Sequence, residues 1–214
     1  RNAPRLVPLI TAIGASLFLA NTARGFFGAQ SRGFGVPAAL EGQWTILGVS
    51  VDRIQVVVLL TVIIAVTALS LFVSRTTTGK SMRAVAADSE IASLMGIRVD
   101  RVIVTTFAIG GLLAGIAAVL FSITFESVGF TMGFRPGIAA FTAAVLGGIG
   151  SISGAALGGV LLGLLQSIGP ALILTGYGIP SSFQLKDAFT FLVLVLVLIF
   201  RPGGLLGSGE AEKV

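Results

Sequence analysis

The sequence predicts an all-α, polytopic membrane protein with about six membrane segments, two of them forming a re-entrant or broken helical hairpin. Three observations lead there. Of 214 residues, 55% are hydrophobic and only 11% are charged, less than half the ~25% charged residues of an ordinary soluble domain; mean hydropathy is +1.02. Charge-free runs recur at lengths that fit a bilayer. Gly supplies 29 residues, and small residues let helices approach closely in lipid. A soluble enzyme, a disordered tail and a disulfide scaffold are excluded. Cys and His are both absent, which removes thiol chemistry, the commonest metal ligand and the commonest general base. No catalytic residue, metal site or cofactor is expected.

The spans follow from the charges that bound them. Leu6 to Ala23 lies between Arg5 and Arg24, Ile54 to Ser74 between Arg53 and Arg75, and Val102 to Phe125 between Arg101 and Glu126. Each meets the ~17–25 residues needed to cross a hydrocarbon core. Pro136 to Leu185 carries no charge at all. As one helix it would run about 75 Å at ~1.5 Å per residue, more than two bilayers, so it must fold back. The reversal is placed at Gly147, Gly148, Gly150 and Gly154, because clustered Gly disfavours a continuous helix. Arms at about 136–147 and 154–170 result. The first is short, so both a full crossing and a re-entrant helix stay open. The last span is read as Phe183 to Phe200, ended by Arg201-Pro202-Gly203-Gly204 because Pro and paired Gly stop a helix.

Lys and Arg orient these spans. The 75–101 segment holds Arg75, Lys80, Arg83, Arg98 and Arg101, the densest basic cluster, and the positive-inside rule makes it cytoplasmic. With six segments both ends of the chain fall on that side, giving nine basic residues inside and five outside. The net charge of +5 therefore reports orientation in a lipid bilayer rather than nucleic-acid binding. On the outer side, alternation through Trp44 to Val51 predicts a short hairpin. The whole chain, 1–214, reads as a single transmembrane domain. Arg1 stands where an initiator Met would, and no signal-peptide pattern precedes the first span, so further N-terminal sequence is expected.

The cytoplasmic segment carries the most information. Ser81 as N-cap and Gly96 just past the last turn predict a helix over 82–95. Met82, Val85 and Ala86 cluster on one face, and Ile91, Leu94 and Met95 nearly opposite. A helix lying on a membrane needs one apolar face; two suggest contact with the membrane domain and with another protein, the other reading being an ordinary solvated loop helix. Gly79-Lys80-Ser81 resembles the end of a phosphate loop, but position 74 is Ser and a span precedes it where a strand is required, so nucleotide binding is rejected. Gly148-x-Gly150-x-x-Ser153 fails as a dinucleotide fingerprint on the same ground.

Small residues at helical spacing, Gly111 with Gly115 and Gly154 through Gly158 or Gly159 to Gly163, read as helix-packing positions. Uncharged polar residues in the spans are Asn21, Thr105, Thr106, Thr142 and Gln166. Thr105, Thr106, Thr142 and Gln166 are candidates to line a path; each serves equally well as an interhelical bond of about 0.6–2 kcal/mol. Glu126, at the outer end of a span, reads as a solvated carboxylate.

Two runs carry a family resemblance. Gly79-Lys80-Ser81-Met82-Arg83-Ala84 through Met95-Gly96-Ile97-Arg98-Val99-Asp100-Arg101-Val102 resembles the cytoplasmic coupling segment of branched-chain amino-acid ABC importer permeases. Phe141-Thr142-Ala143-Ala144-Val145-Leu146-Gly147-Gly148-Ile149-Gly150-Ser151-Ile152, with Gly154-Ala155 and Gly158-Gly159 after it, is similar to the same family, as is the tail from Arg201 to Gly207. The likeness is close over 70–214, looser over 5–70, and nearer the H-type subunit than the M-type. It implies a non-catalytic permease in a bacterial or archaeal inner membrane. Its implied partners are a second permease subunit, cytoplasmic ABC ATPase subunits and an extracytoplasmic solute-binding protein. It also implies that Arg83, Ala86, Ala87, Asp88 and Gly96 couple the permease to the ATPases, with Ala86-Ala87-Asp88 where other importers carry Glu-Ala-Ala. A permease for a sugar, urea or short amide, or a structural membrane subunit, remains as an alternative. An ion-coupled carrier is opposed by the scarcity of charge in the spans.

Overall fold

The computed structural model describes residues 7–46, 49–148, 150–169, 186–200 and 203–206. The expected start of the last span at 183–185, the hairpin tip at 47–48, Ile149 of the Gly-rich turn, Pro170 at the end of the second arm, Arg201-Pro202, Gly207 and the terminal basic residues Arg1, Arg5 and Lys213 lie outside the described residues.

The chain is mostly helical, as an apolar backbone that must satisfy its own hydrogen bonds in lipid requires. In order come α1 (Val7–Phe27), β1 (Arg32–Gly33), a 3-10 turn (Ala38–Leu40), β2 (Gln43–Ile46), β3 (Val49–Asp52) and α2 (Arg53–Arg75). Then follow α3 (Thr77–Ala87), α4 (Ser89–Leu94), α5 (Val99–Phe125), β4 (Ser127–Val128), α6 (Phe134–Gly147), α7 (Ile152–Gly169) and α8 (Lys186–Phe200). Helices α2, α5 and α7 are long and apolar enough to cross a membrane, and α6 is a shorter apolar helix. The 50-residue charge-free run does fold back, between α6 and α7.

Two compact units organise the chain. One combines Arg1–Val57 with Ile116–Phe134. Here β2 and β3 form an antiparallel hairpin in which Gln43 faces Asp52 and Trp44 faces Val51. Arg53, at the start of α2, donates its backbone N–H to the Gly42 carbonyl at 3.1 Å and sets its guanidinium 5.8 Å from the Trp44 ring centre, a cation–π geometry. A second, two-residue ribbon pairs β1 with β4, Arg32 opposite Val128. Phe34 extends it by donating its N–H to the Glu126 carbonyl at 2.9 Å. Neither two-residue strand has enough length to show alternation, so this ribbon has no signature in the residue pattern.

The second unit holds Val58–Gly115 and Arg135–Val214. Its core is a cluster of Ala143, Leu146 and Leu162 with Ala139, Val193 and Val197 packed against it, joining α6, α7 and α8. Small-residue spacing proved a weaker guide: Gly111, Gly115 and Gly163 each have open space where a Cβ would stand. Spacing identifies a face; it does not say whether this chain supplies a neighbour for it.

The expected helix over 82–95 is corrected. There are two helices, and the cap of the first lies five residues before the expected one. Thr76 caps α3, its hydroxyl accepting from the Gly79 N–H at 3.0 Å while donating to the Phe72 carbonyl at 2.7 Å. That hydroxyl both closes α2 and opens α3. Gly79 is required beside it, since a Cβ there would overlap the Val73 carbonyl and come within 2.6 Å of that of Phe72. Ser81 lies inside α3 and donates to Thr77.

Candidate functional site

The α3–α4 segment is divided by one residue. Asp88 adopts an extended backbone, φ −157° and ψ 112°, which a continuing helix forbids. Its N–H still donates to the Ala84 carbonyl at 3.1 Å, ending α3. Its Oδ1 accepts from the N–H groups of Glu90 and Ile91, at 2.8 and 3.0 Å, starting α4. Carboxylates at N-caps satisfy orphan donors and favour the positive end of the helix dipole. The order Asp-Ser-Glu is a start signal that could have been read from the sequence.

Helix α4 ends on a Schellman motif. Gly96 donates to Ser93 at 3.0 Å and Ile97 to Ala92 at 3.1 Å, and Gly96 takes φ +84°, which glycine adopts without the Cβ penalty. Ala92 is buried beneath this end, whereas Ile91, Leu94 and Met95 are 59, 82 and 78% exposed. Three large apolar side chains thus project from this six-residue helix and its C-cap residue, Met95. Arg83, Ala86, Ala87 and Asp88 are exposed as well. The break changes the geometry of the two expected faces: they belong to two short helices packed on each other.

The second candidate region is the junction of α6, α7 and α8. Helix α6 ends at Gly147 and α7 begins at Ile152. Gly148 and Gly150 in the turn have φ +107° and +96°. Ser151 caps α7, its hydroxyl accepting from the Gly154 N–H at 3.0 Å. The two helices then pass with backbone in contact. A Cβ on Gly147 would overlap the Gly154 carbonyl, one on Gly154 the Gly147 carbonyl, and one on Gly158 the Ala143 carbonyl. Gly147, Gly154 and Gly158 are brought together; Gly150 points a missing Cβ into open space.

The four polar candidates separate by partner. Thr105 donates to Arg101 at 2.7 Å, Thr106 to Val102 at 2.8 Å and Thr142 to Ile138 at 2.9 Å. Each hydroxyl proton is given to a carbonyl one turn back on its own helix, the usual way a hydroxyl is satisfied among apolar neighbours. Thr142 is fully buried. Gln166 instead reaches from α7 to α8 and donates its amide to the Thr190 hydroxyl. Asn21, by contrast, bonds back to Leu17 on α1.

Sequence reasoning missed one participant in this junction. Beyond α8, Leu205 and Leu206 donate their backbone N–H groups to the carbonyls of Leu146 and Gly147. Backbone bonds leave no side-chain signature, and Gly204 was the one available sign.

Spanning apolar helices, a Gly-closed helical hairpin and an intervening polar segment with exposed apolar side chains define a helical membrane protein. A family model described as the permease component of the branched-chain amino acid transport system matches residues 2–198, and the chain belongs to that family. The high-affinity branched-chain amino acid transport system permease protein LivH of Escherichia coli (strain K12) is 41% identical over 219 residues, covering 100% of this chain and 68% of LivH. LivH of Salmonella typhimurium stands at the same identity and coverage. BraD of Pseudomonas aeruginosa, likewise a high-affinity branched-chain amino acid transport system permease protein, is 40% identical with the same coverage. No solved structure matches the chain.

Proposed function

We propose that this chain is a transmembrane permease subunit of an ATP-driven, binding-protein-dependent importer of branched-chain, aliphatic amino acids. The observation that carries this reading is 41% identity to LivH along the whole chain, supported by a family match that covers most of it. The chain works in a bacterial or archaeal inner membrane as one permease domain of about six segments, with both ends and the α3–α4 segment cytoplasmic. ATP hydrolysis belongs to separate cytoplasmic subunits. A second permease subunit completes the path, and an external binding protein delivers the solute.

In this reading α3–α4 is where the ATPases push. A mechanical contact needs a rigid element with an exposed, desolvable surface. Two helices joined through the Asp88 cap, closed by Gly96 and presenting Ile91, Leu94 and Met95, supply one. Arg83, Ala86 and Ala87 flank it on α3. Rocking of the spans then alternates access to the solute, as in other membrane transporters. Backbone dipoles at the broken α6–α7 hairpin are suited to the charged ends of an amino acid, with Thr105, Thr106, Thr142 and Gln166 as the polar side chains on hand.

The test is Ala87→Arg in the reconstituted complex of both permeases, the ATPases and the binding protein. A long charged side chain in a packed contact costs desolvation and sterics, whereas on a solvated face it changes stability by less than ~0.5 kcal/mol. The expected result is intact spans with lost stimulation of ATPase activity by the leucine-loaded binding protein. Normal assembly and normal stimulated turnover would remove α3–α4 from the coupling role.

A further inference from the structure

We propose that the segment after α8 is a positioning element for transport: through Gly204, Leu205 and Leu206 it holds the end of α6, so that α6, α7 and α8 move as one body. A helix leaves its last four carbonyls without intrahelical donors. In α6 two of these belong to Leu146 and Gly147, both buried, where an unsatisfied carbonyl is costly. The tail supplies the donors: Leu205 N–H reaches the Leu146 carbonyl at 2.9 Å, and Leu206 N–H reaches that of Gly147 at 3.0 Å.

The fit of the neighbouring glycines separates a docked segment from a passing linker. Gly204 has φ +72°, and a Cβ on it would overlap Gly148 and stand 2.7 Å from the Val145 carbonyl. Gly203, one residue earlier, has nothing within 4 Å of its Cβ position. Only the glycine at the contact is sterically fixed. Two further joints complete a ring: α6 to α7 through the glycine contacts, and α7 to α8 through Gln166 and Thr190. The tail returns from α8 to α6 and closes it. Three elements linked in a ring lose the relative sliding that three in an open row retain, so changes of access fall to helices outside the ring.

The functional half of this inference rests on the transport reading; the docking half does not. Amide hydrogen exchange and leucine uptake, measured on the reconstituted full complex, test both. In the wild-type protein the Leu205 and Leu206 amides are expected to exchange slowly at rest and equally slowly during ATP-driven turnover. Gly204→Ala is expected to speed their exchange about tenfold, the loss of roughly one to two net hydrogen bonds. It should also lower the maximal uptake rate while leaving the half-saturating leucine concentration unchanged. Gly203→Ala should match wild type in both measurements.

Fast exchange at these amides in resting wild type would overturn the docking. Fast exchange confined to turnover would overturn the one-body motion, as would wild-type uptake in a Gly204→Ala protein whose exchange has risen. If Gly204→Ala fails to accumulate, Leu206→Pro removes a single donor and takes its place, with the same outcomes read at the Leu205 amide. Absence of uptake by the wild-type complex would instead strike the transport reading and leave the exchange result standing.

Discussion

Gly158 and Ala143 meet backbone against backbone: the position a Cβ would take on Gly158 overlaps the Ala143 carbonyl oxygen and lies 2.8 Å from the Gly147 nitrogen. Neither atom belongs to a side chain that can swing away. With Gly147 and Gly154, which meet backbone in the same way, the missing methyl group of Gly158 sets the spacing between α6 and α7.

Gly158→Ala is expected to destabilise the protein by about 1–3 kcal/mol, the usual range for overpacking a filled site. Gly163→Ala on the same helix meets open space and should leave stability unchanged or raised, since Ala is the better helix former. Thermal unfolding of the two detergent-solubilised variants checks this, and equal midpoints would contradict the backbone contact.

Gln166→Leu should cost about 0.6–2 kcal/mol, the magnitude found for interhelical hydrogen bonds in membranes, because the amide links α7 to α8. Asn21→Leu should cost less, its amide bonding only within α1. Combining Gln166→Leu with Thr190→Val in a double-mutant cycle isolates the pair. A coupling energy of zero would show that the two side chains act independently.

Asp88→Asn keeps an N-cap acceptor and removes the charge; Asp88→Ala removes both. If capping is the main role, Ala lowers the stability of α4 by about 0.5–2 kcal/mol and Asn by much less. Hydrogen exchange at Glu90 and Ile91, the two capped amides, reads this directly. Rapid exchange there in Asp88→Asn would assign the effect to the negative charge.

Topology is open to a labelling test because the chain has no native Cys. Ser89→Cys should react with an impermeant thiol reagent from the cytoplasm and Gln43→Cys from outside; both positions are exposed. Reaction of both from one side would overturn the six-segment arrangement.

How much of this was legible depended on whether the deciding signal was local. The ends of α2, expected at Ile54 and Ser74, fall at Arg53 and Arg75, because charge marks the limit of an apolar run. The β2–β3 hairpin was legible through alternation. At α3 the deciding fact is tertiary: three threonines and a glycine look like a poor helix start until Gly79 is seen against the carbonyls of Phe72 and Val73. Asp88 was written in the sequence but falls mid-helix in the expected 82–95 span, since Ser81 and Gly96 offer themselves as the two ends of one helix. For the polar candidates, residue type gave the capacity to bond and coordinates gave the partner, and the partners separated Gln166 from Thr105, Thr106 and Thr142. The tail's grip on α6 had only Gly204 to mark it, because main-chain donors have no letter of their own.

The β1–β4 ribbon also sets an order of events during synthesis. Gly33 and Ser127 pair although 94 residues separate them in the chain. At about 5–20 residues per second, the ribosome needs roughly 5 to 20 seconds after making the first strand to deliver the second. Throughout that interval α1 and its trailing loop are in place with one ribbon partner missing, while α2, α3, α4 and α5 emerge. The ribbon forms only after α5 has been synthesised, so it acts as a latch on a finished loop rather than as a seed for it. Damage to Arg32–Gly33 or Ser127–Val128 should therefore appear late in biogenesis, in a protein whose earlier helices have already been laid down.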